Sequence, residues 1–272
     1  MDFFKYEATA NDFIMLDRMS GEAEPSPDEV RALCCRRTGV GADGVIEMLP
    51  SDSSDIRMRI FNADGSEAQM CGNGLRALFL FALDRGVLDK DEITVDTEAG
   101  VRLVRRVGAL FSAEMGEPSW TRGSIPMQGD PDAQAIGVEL PLPDGTTLEA
   151  SCVSMGNPHC VIFVEDARAV SIEDAGPSIE RLDVFPERTN VEFVKVVDAG
   201  ALLVRVWERG VGETMACGTG ACAALVAASL NGLASRRASV SLPGGVLEVE
   251  WCDDGVVLTG PARRVFDGKT VD

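Results

Sequence analysis

Apolar and polar residues alternate along Arg57 to Phe61 and again along Leu203 to Trp207, the two-residue period of half-buried strands. Two other stretches, Leu75 to Leu83 and Ala221 to Leu230, are apolar nearly all round. A surface helix would show a polar stripe, so both read as central helices, each wrapped by its own sheet. Gly86 and Gly232 stand where those helices should stop. Between them, residues 117–132 carry Pro118, Gly123, Pro126, Gly129 and Pro131, a composition suited to a linker.

The pattern repeats because the residues do. Cys71-Gly72-Asn73-Gly74-Leu75-Arg76-Ala77 recurs as Cys217-Gly218-Thr219-Gly220-Ala221-Cys222-Ala223, a shift of 146 residues (217 minus 71). The same shift carries Asn11 onto Asn157, Ile14-Met15-Leu16 onto Cys160-Val161-Ile162, and Met58-Arg59-Ile60-Phe61 onto Val204-Arg205-Val206-Trp207. Ungapped agreement in several registers argues for duplication. The expected fold class is α/β (α+β): two pseudo-symmetric domains, each a curved mixed sheet around a central helix, with the active site in the cleft between them. The halves are expected at 1–117, joined by the tail 263–272, and at 118–262.

Composition narrows the function. With 272 residues, 45% of them apolar, the chain can bury substantial cores without staples. Neither a basic stretch leading into an apolar run at the amino terminus nor an apolar segment of about 18 residues is present, so a soluble, unexported protein is expected. The formal charge of −19 argues against nucleic acid and anionic membranes as partners. Eight cysteines without framework spacing point to reduced thiols in the cytoplasm. Cys34, Cys35, Cys152, Cys160, Cys222 and Cys252 are expected to be buried core thiols.

Cys71 and Cys217 differ from those six. Each precedes Gly-x-Gly and an apolar helix, which sets its sulfur at a helix amino terminus, where unpaired amides and the helix dipole favour a thiolate. The same amides can hold a carboxylate, and the glycines let it approach closely. Two such sites facing one another across a stereocentre would allow one thiolate to take a proton and the opposite thiol to return one, inverting the centre. A redox disulfide or a metal site is the alternative. No Cys-x-x-Cys is present, and a zinc site would want four ligands of recognisable spacing.

His159, the chain's one histidine, lies in Gly156-Asn157-Pro158-His159 just before an apolar strand. Glu208 precedes Cys217 by nine residues, as Asn62 precedes Cys71. Either His159 or Glu208 is suited to moving protons to and from a thiol, and the order of the residues does not say which serves which. Glu208 and Arg209 together would receive a zwitterion, Arg209 gripping its carboxylate. Asn11, Asn62, Asn157 and Asn190 supply neutral donors and acceptors.

These blocks resemble the diaminopimelate epimerase family. The resemblance is carried by Asn11-Asp12-Phe13, Gly39 to Gly44, Asn62 to Glu67 running into Met70 to Arg76, Gly156 to His159, Asn190-Val191-Glu192-Phe193, and Glu208-Arg209-Gly210 through Gly220. It implies conversion of LL-2,6-diaminopimelate to the meso form in lysine and cell-wall synthesis, with no cofactor (neither pyridoxal phosphate nor metal). It also implies Cys71 and Cys217 as the acid/base pair and His159 and Glu208 as supporting groups. Backbone of Gly72, Asn73, Gly218 and Thr219 would surround the reacting carboxylate, with Asn11, Asn62, Asn157, Asn190 and Arg209 at the distal end. A small amino acid is the expected partner, with a homodimer as a further expectation. Two departures stand out: Glu7-Ala8-Thr9-Ala10 replaces the family's usual histidine and two glycines, and Gly44 stands where some members carry Gln. A racemase of proline, hydroxyproline or histidine is the nearest rival, and a non-catalytic amino-acid binder or thiol redox protein the more distant one.

Overall fold

The computed structural model describes residues 1–142 and 145–271. Among them are four α-helices: α1 (Pro27–Cys34), α2 (Gly72–Asp84), α3 (Ile172–Glu180) and α4 (Gly218–Leu230). The two apolar stretches became α2 and α4, and adding 146 to both bounds of α2 gives those of α4. Gly86 and Gly232 follow their last turns with φ of 67° and 68°. This left-handed conformation, which costs glycine nothing, stops a helix.

Two compact units form, Met1–Glu114 with Thr259–Asp272, and Met115–Leu258. In the first unit the strand Asp2–Ala8 pairs antiparallel with Arg263–Lys269 and with Asn11–Asp17, which runs parallel to Gly44–Leu49. Gly44–Leu49 pairs antiparallel with Ile56–Asn62, and that strand borders both Glu67–Ala68 and Glu92–Asp96. The second unit repeats the plan: Thr147–Ser154 antiparallel to Pro158–Phe163, then Asn190–Asp198 in parallel, then Ala201–Glu208, which borders Gly212–Thr214 and Arg237–Leu242. Strands of each sheet contact their helix from several sides, and Leu75, Leu78, Phe79 and Phe81 of α2 and Ala221, Leu225 and Val226 of α4 are fully buried. Each unit is thus the expected mixed α+β sheet around a helix.

The repeat persists into the pairing register. Phe13 lies opposite Gly44 as His159 lies opposite Asn190, and Phe61 opposite Glu67 as Trp207 opposite Glu213. An ion pair is duplicated with it: Arg59 Nε donates to Glu67 at 2.7 Å and Arg205 Nε to Glu213 at 2.8 Å, bracing the short strand before each thiol. At Gly44 a Cβ would stand 2.6 Å from the Phe61 carbonyl oxygen, so this backbone has no room for a side chain there.

The stretch expected to be a linker packs into the second unit instead. Ile125 is fully buried and Met127 nearly so, Gln128 N donates to the Val184 carbonyl at 2.8 Å, and Trp120 meets Trp251 edge to face. Its prolines and glycines shape turns, while its apolar side chains decide that it is core.

Where the chain reads Glu7-Ala8-Thr9-Ala10, a hairpin turns between Ala8 and Asn11 with Thr9 and Ala10 both left-handed, φ 56° and 60°. Such a turn favours Asn or Gly, and a residue bearing a Cβ loses roughly 1–2 kcal/mol in that conformation. Two contacts offset this: Ala10 N donates to Glu7 Oε2 at 2.9 Å, and the buried Arg76 Nη2 donates to Thr9 Oγ1 at 3.2 Å. Ala10 is exposed. We therefore expect Ala10→Gly to raise the unfolding free energy in urea by about 1 kcal/mol; an unchanged or lower midpoint would show that the turn carries no such strain.

Candidate active site

Each cysteine of the repeat caps its helix. Cys71 and Cys217 are the N-cap residues of α2 and α4, in extended backbone, and each sulfur accepts the backbone N–H of the residue three on, Gly74 or Gly220, at 3.4 Å. Sulfur does here what a Ser or Asp oxygen does at most helix starts. Neither helix has an acidic residue in its first turn, so the amide-rich end is left to the sulfur and to an incoming anion.

Around Cys71 the polar groups form one chain. Arg76 Nη2 donates to Asn73 Oδ1 at 2.6 Å, Asn73 Nδ2 to Asn11 Oδ1 at 3.4 Å, and Asn11 Nδ2 to Asp43 Oδ2 at 2.9 Å. The Cys71 thiol lies 3.8 Å from the same Asn11 oxygen, at the long limit for a sulfur donor. Asp43 and Asp12 share Arg36, and Lys5 pairs with Asp12. Burial opposes ionisation of Asp12, but hydrogen bonds from Arg36 and Lys5 prevail and hold its pKa at about 2.

Cys217 sits among different groups. Its Sγ is 3.4 Å from Thr219 Oγ1, which accepts from Asn157 Nδ2 at 3.2 Å. Asn157 Oδ1 lies 3.0 Å from His159 Nε2, and His159 Nδ1 lies 2.6 Å from Glu192 Oε1, both side chains being fully buried. Burial first, then the Glu208 carboxylate, push the Cys217 thiol well up from its ordinary value; Thr219 and the Gly220 amide only partly oppose them.

The remaining expected residues divide by what already holds them. Asn190 is buried, with its Nδ2 on the Pro158 carbonyl at 2.8 Å and its Oδ1 on the Arg209 backbone N–H at 2.9 Å, tying the His159 strand to the Glu208-Arg209 turn. Glu208 accepts from Thr214 Oγ1, and Arg209 reaches the Glu187 carbonyl at 3.2 Å. Asn62 bonds Ser66 Oγ at 3.0 Å in the exposed turn before Cys71. Gly72 and Gly218 open the two helices, with Asn73 and Thr219 next to them. Among the described residues no three His, Cys, Asp or Glu side chains gather as a metal site.

Glu192, Asp43 and Arg76 join these networks although residue type and spacing alone gave them no role; each lies within a segment that carries the family resemblance. A carboxylate inside the apolar run Val191 to Val194 was the available signal for Glu192. Two of the cysteines expected in the core are not there: Cys252 is half-buried and Cys35 exposed. Cys35 follows the last turn of α1, and hydrogen bonds from Thr38 Oγ1, at 3.0 Å, and nearby backbone amides lower its pKa to about 7. Cys34, buried beside it, is pushed up to about 11. Because the thiolate is the reactive form, iodoacetamide at pH 7.5 should modify Cys35 first, with Cys34 and Cys217 far behind, as read by peptide mass spectrometry. Equal rates at Cys217 and Cys35 would contradict a protonated Cys217.

Comparison with known proteins agrees with this arrangement. A family model described as diaminopimelate epimerase matches residues 3–121 and 151–265. The chain is 47% identical to the diaminopimelate epimerase of Pelotomaculum thermopropionicum, over 99% of its length and 98% of the relative's. It is 48% identical to diaminopimelate epimerase 1 of a Nostoc species, over 99% of each. Among solved structures, a hydroxyproline epimerase from Agrobacterium vitis superposes with a TM-score of 0.72 at 14% identity, covering 98% of this chain and 91% of that one. The Bacillus anthracis phenazine biosynthesis protein of the PhzF family gives 0.72 at 18% identity, covering 100% and 99%. These last two are likenesses of fold. The full-length identities, together with two thiol-capped helices at duplicated positions, establish that this chain belongs to the diaminopimelate epimerase family.

Proposed function

We propose that the protein interconverts LL- and meso-2,6-diaminopimelate by proton exchange at one α-carbon. One cysteine thiolate removes the α-proton and becomes a thiol; the other thiol protonates the carbanion on its opposite face and becomes a thiolate. The exchange balances, and proton exchange of the two sulfurs with solvent after product leaves restores the starting state. The observation that carries this reading is the pair of sulfurs on the first-turn amides of two buried, repeat-related helices. Those amides suit the α-carboxylate and the charge that spreads onto it as the proton leaves.

His159 and Glu208 are proposed as supporting groups, with Asn11, Asn62, Asn157, Asn190, Glu208 and Arg209 as the receptor for the rest of the substrate. The carboxylate and guanidinium of adjacent Glu208 and Arg209 match a second ammonium and carboxylate, which proline lacks. A reducing cytoplasm is the proposed compartment, and no described helix is long and apolar enough to cross a membrane. A homodimer is proposed on the outer strand Arg263–Lys269, where Val265 and Phe266 stand 51% and 45% exposed. Sedimentation velocity should give a dimer that Phe266→Asp weakens, and a monomer for the native chain would end that proposal.

The function itself is tested with reduced protein and LL-2,6-diaminopimelate in heavy water, following meso product and loss of the α-proton signal by NMR. Deuterium-bearing meso product is expected. Cys71→Ala and Cys217→Ala should each lower epimerisation by at least a thousandfold, and normal turnover in either variant would exclude the two-thiol mechanism. Inversion of proline or hydroxyproline in place of diaminopimelate would move the substrate while keeping the chemistry.

A further inference from the structure

The repeat allows the two halves to be compared position by position, and at two neighbouring positions a titratable side chain of the second half stands where the first has an apolar one. Glu192 corresponds to Ile46 and His159 to Phe13 under the shift of 146 residues. Ile46 and Glu192 are both fully buried, and each lies against the first turn of its helix. A Cβ on Gly74 would meet Ile46 Cδ1 at 2.8 Å, and one on Gly220 would meet Glu192 Oε1 at 2.8 Å. The fold therefore accepts an apolar side chain here. A buried carboxylate carries a desolvation penalty that isoleucine avoids, so filling space does not account for it.

Its partner accounts for it. We propose that Glu192 is a positioning residue: by holding Nδ1 of His159 it keeps a proton on Nε2, turns the Asn157 amide to face Thr219 with its NH2, and so aims the Thr219 hydroxyl at the sulfur of Cys217. Each link is short enough to act, at 2.6, 3.0, 3.2 and 3.4 Å from Glu192 to the thiol. Donor direction follows from one end. If Nε2–H donates to Asn157 Oδ1, the amide NH2 is left for Thr219 Oγ1, and the hydroxyl proton is free to go to sulfur. The dyad then holds one further proton between Nδ1 and Oε1, and it is uncharged overall whichever atom carries that proton. A buried pair gains from that neutrality, and burial raises the Glu192 pKa in the same sense.

The first half shows the same asparagine turned the other way. Asn11 is anchored by Asp43, which only accepts when ionised, so its NH2 points to Asp43 and its carbonyl oxygen is the atom near Cys71. The outer anchor, carboxylate in one half and imidazole N–H in the other, sets which end of the amide reaches the cysteine's neighbourhood. The side chain nearest Cys71 thus offers it an acceptor, and the one nearest Cys217 offers it a donor.

The proposal rests on the epimerase reading for its purpose but not for its test. His159 is the chain's only histidine, so its ring nitrogens can be assigned without ambiguity in uniformly nitrogen-15-labelled protein. At pH 7.5 without substrate, a long-range proton–nitrogen correlation should show Nε2 as the protonated, pyrrole-type nitrogen. A pyridine-type Nε2 would overturn the proposal, because Asn157 would then have to donate to it and take the Thr219 hydroxyl proton away from Cys217. Glu192→Leu, which gives the second half the kind of group Ile46 supplies in the first, should fold, release the tautomer into an average of both forms, and lower kcat at least tenfold. Glu192→Gln retains an N–H for Nδ1 and should keep the Nε2–H signal and most of the turnover. A Leu variant with the native nitrogen signal and native kcat would reduce Glu192 to packing. Should the native enzyme fail to epimerise diaminopimelate while showing Nε2–H, the anchor stands and the functional reading falls.

Discussion

Burying an apolar helix inside a sheet leaves its first amides with nowhere to go. Everything distinctive about this protein follows from how that constraint is met. At the start of α2 and α4 the sulfur of a cysteine accepts one of those amides, while Gly-x-Gly keeps the first turn clear of side chains. A hydroxyl or carboxylate would cap the helix as well or better. A thiol brings a group whose charged and neutral forms are both accessible, held at a point where an anion is already welcome.

The duplication supplies this arrangement twice, and the surroundings then diverge. Burial and the Glu208 carboxylate favour the protonated form at Cys217, against the pull of the Thr219 hydroxyl and the helix amide. Near Cys71 the ordered chain runs from a guanidinium through two asparagines to an aspartate. His159, Glu192 and Glu208 belong to the second half, and their counterparts Phe13, Ile46 and Asn62 do not titrate. One scaffold thus carries two sulfurs in like backbone positions and unlike electrostatic settings. A two-base reaction has a use for such a difference, because at any instant one sulfur must be charged and the other protonated.

The framework around each thiol is built from repeated parts as well. The ion pairs Arg59–Glu67 and Arg205–Glu213 brace the short strand that leads into each cysteine, and Asn190 locks two backbone segments of the second half together. Placement of a reacting group to within a fraction of an ångström depends on such supporting contacts more than on the reacting residue itself.

The sequence by itself determined the repeat, both central helices and their glycine stops, the two helix-capping cysteines and several of the polar residues near them. All of these rest on local signals: periodicity, helix-end chemistry and a motif that occurs twice. The tertiary structure alone decided the rest. A Pro- and Gly-rich stretch proved to be packed core, because Ile125 and Met127 find apolar neighbours that composition does not reveal. Cys35 proved exposed while Cys34 beside it is buried, because adjacent residues at a helix end face different ways. Thr9 and Ala10 adopt a turn that their own preferences oppose, since Glu7 and Arg76 hold it. The direction of each asparagine amide is the furthest from legibility. It depends on whether the atom 3 Å beyond is a donor or an acceptor, and the residues that decide it are distant in the chain: Asp43 lies 32 positions from Asn11, and Glu192 lies 33 from His159, itself two from Asn157, so they meet only when the sheets form.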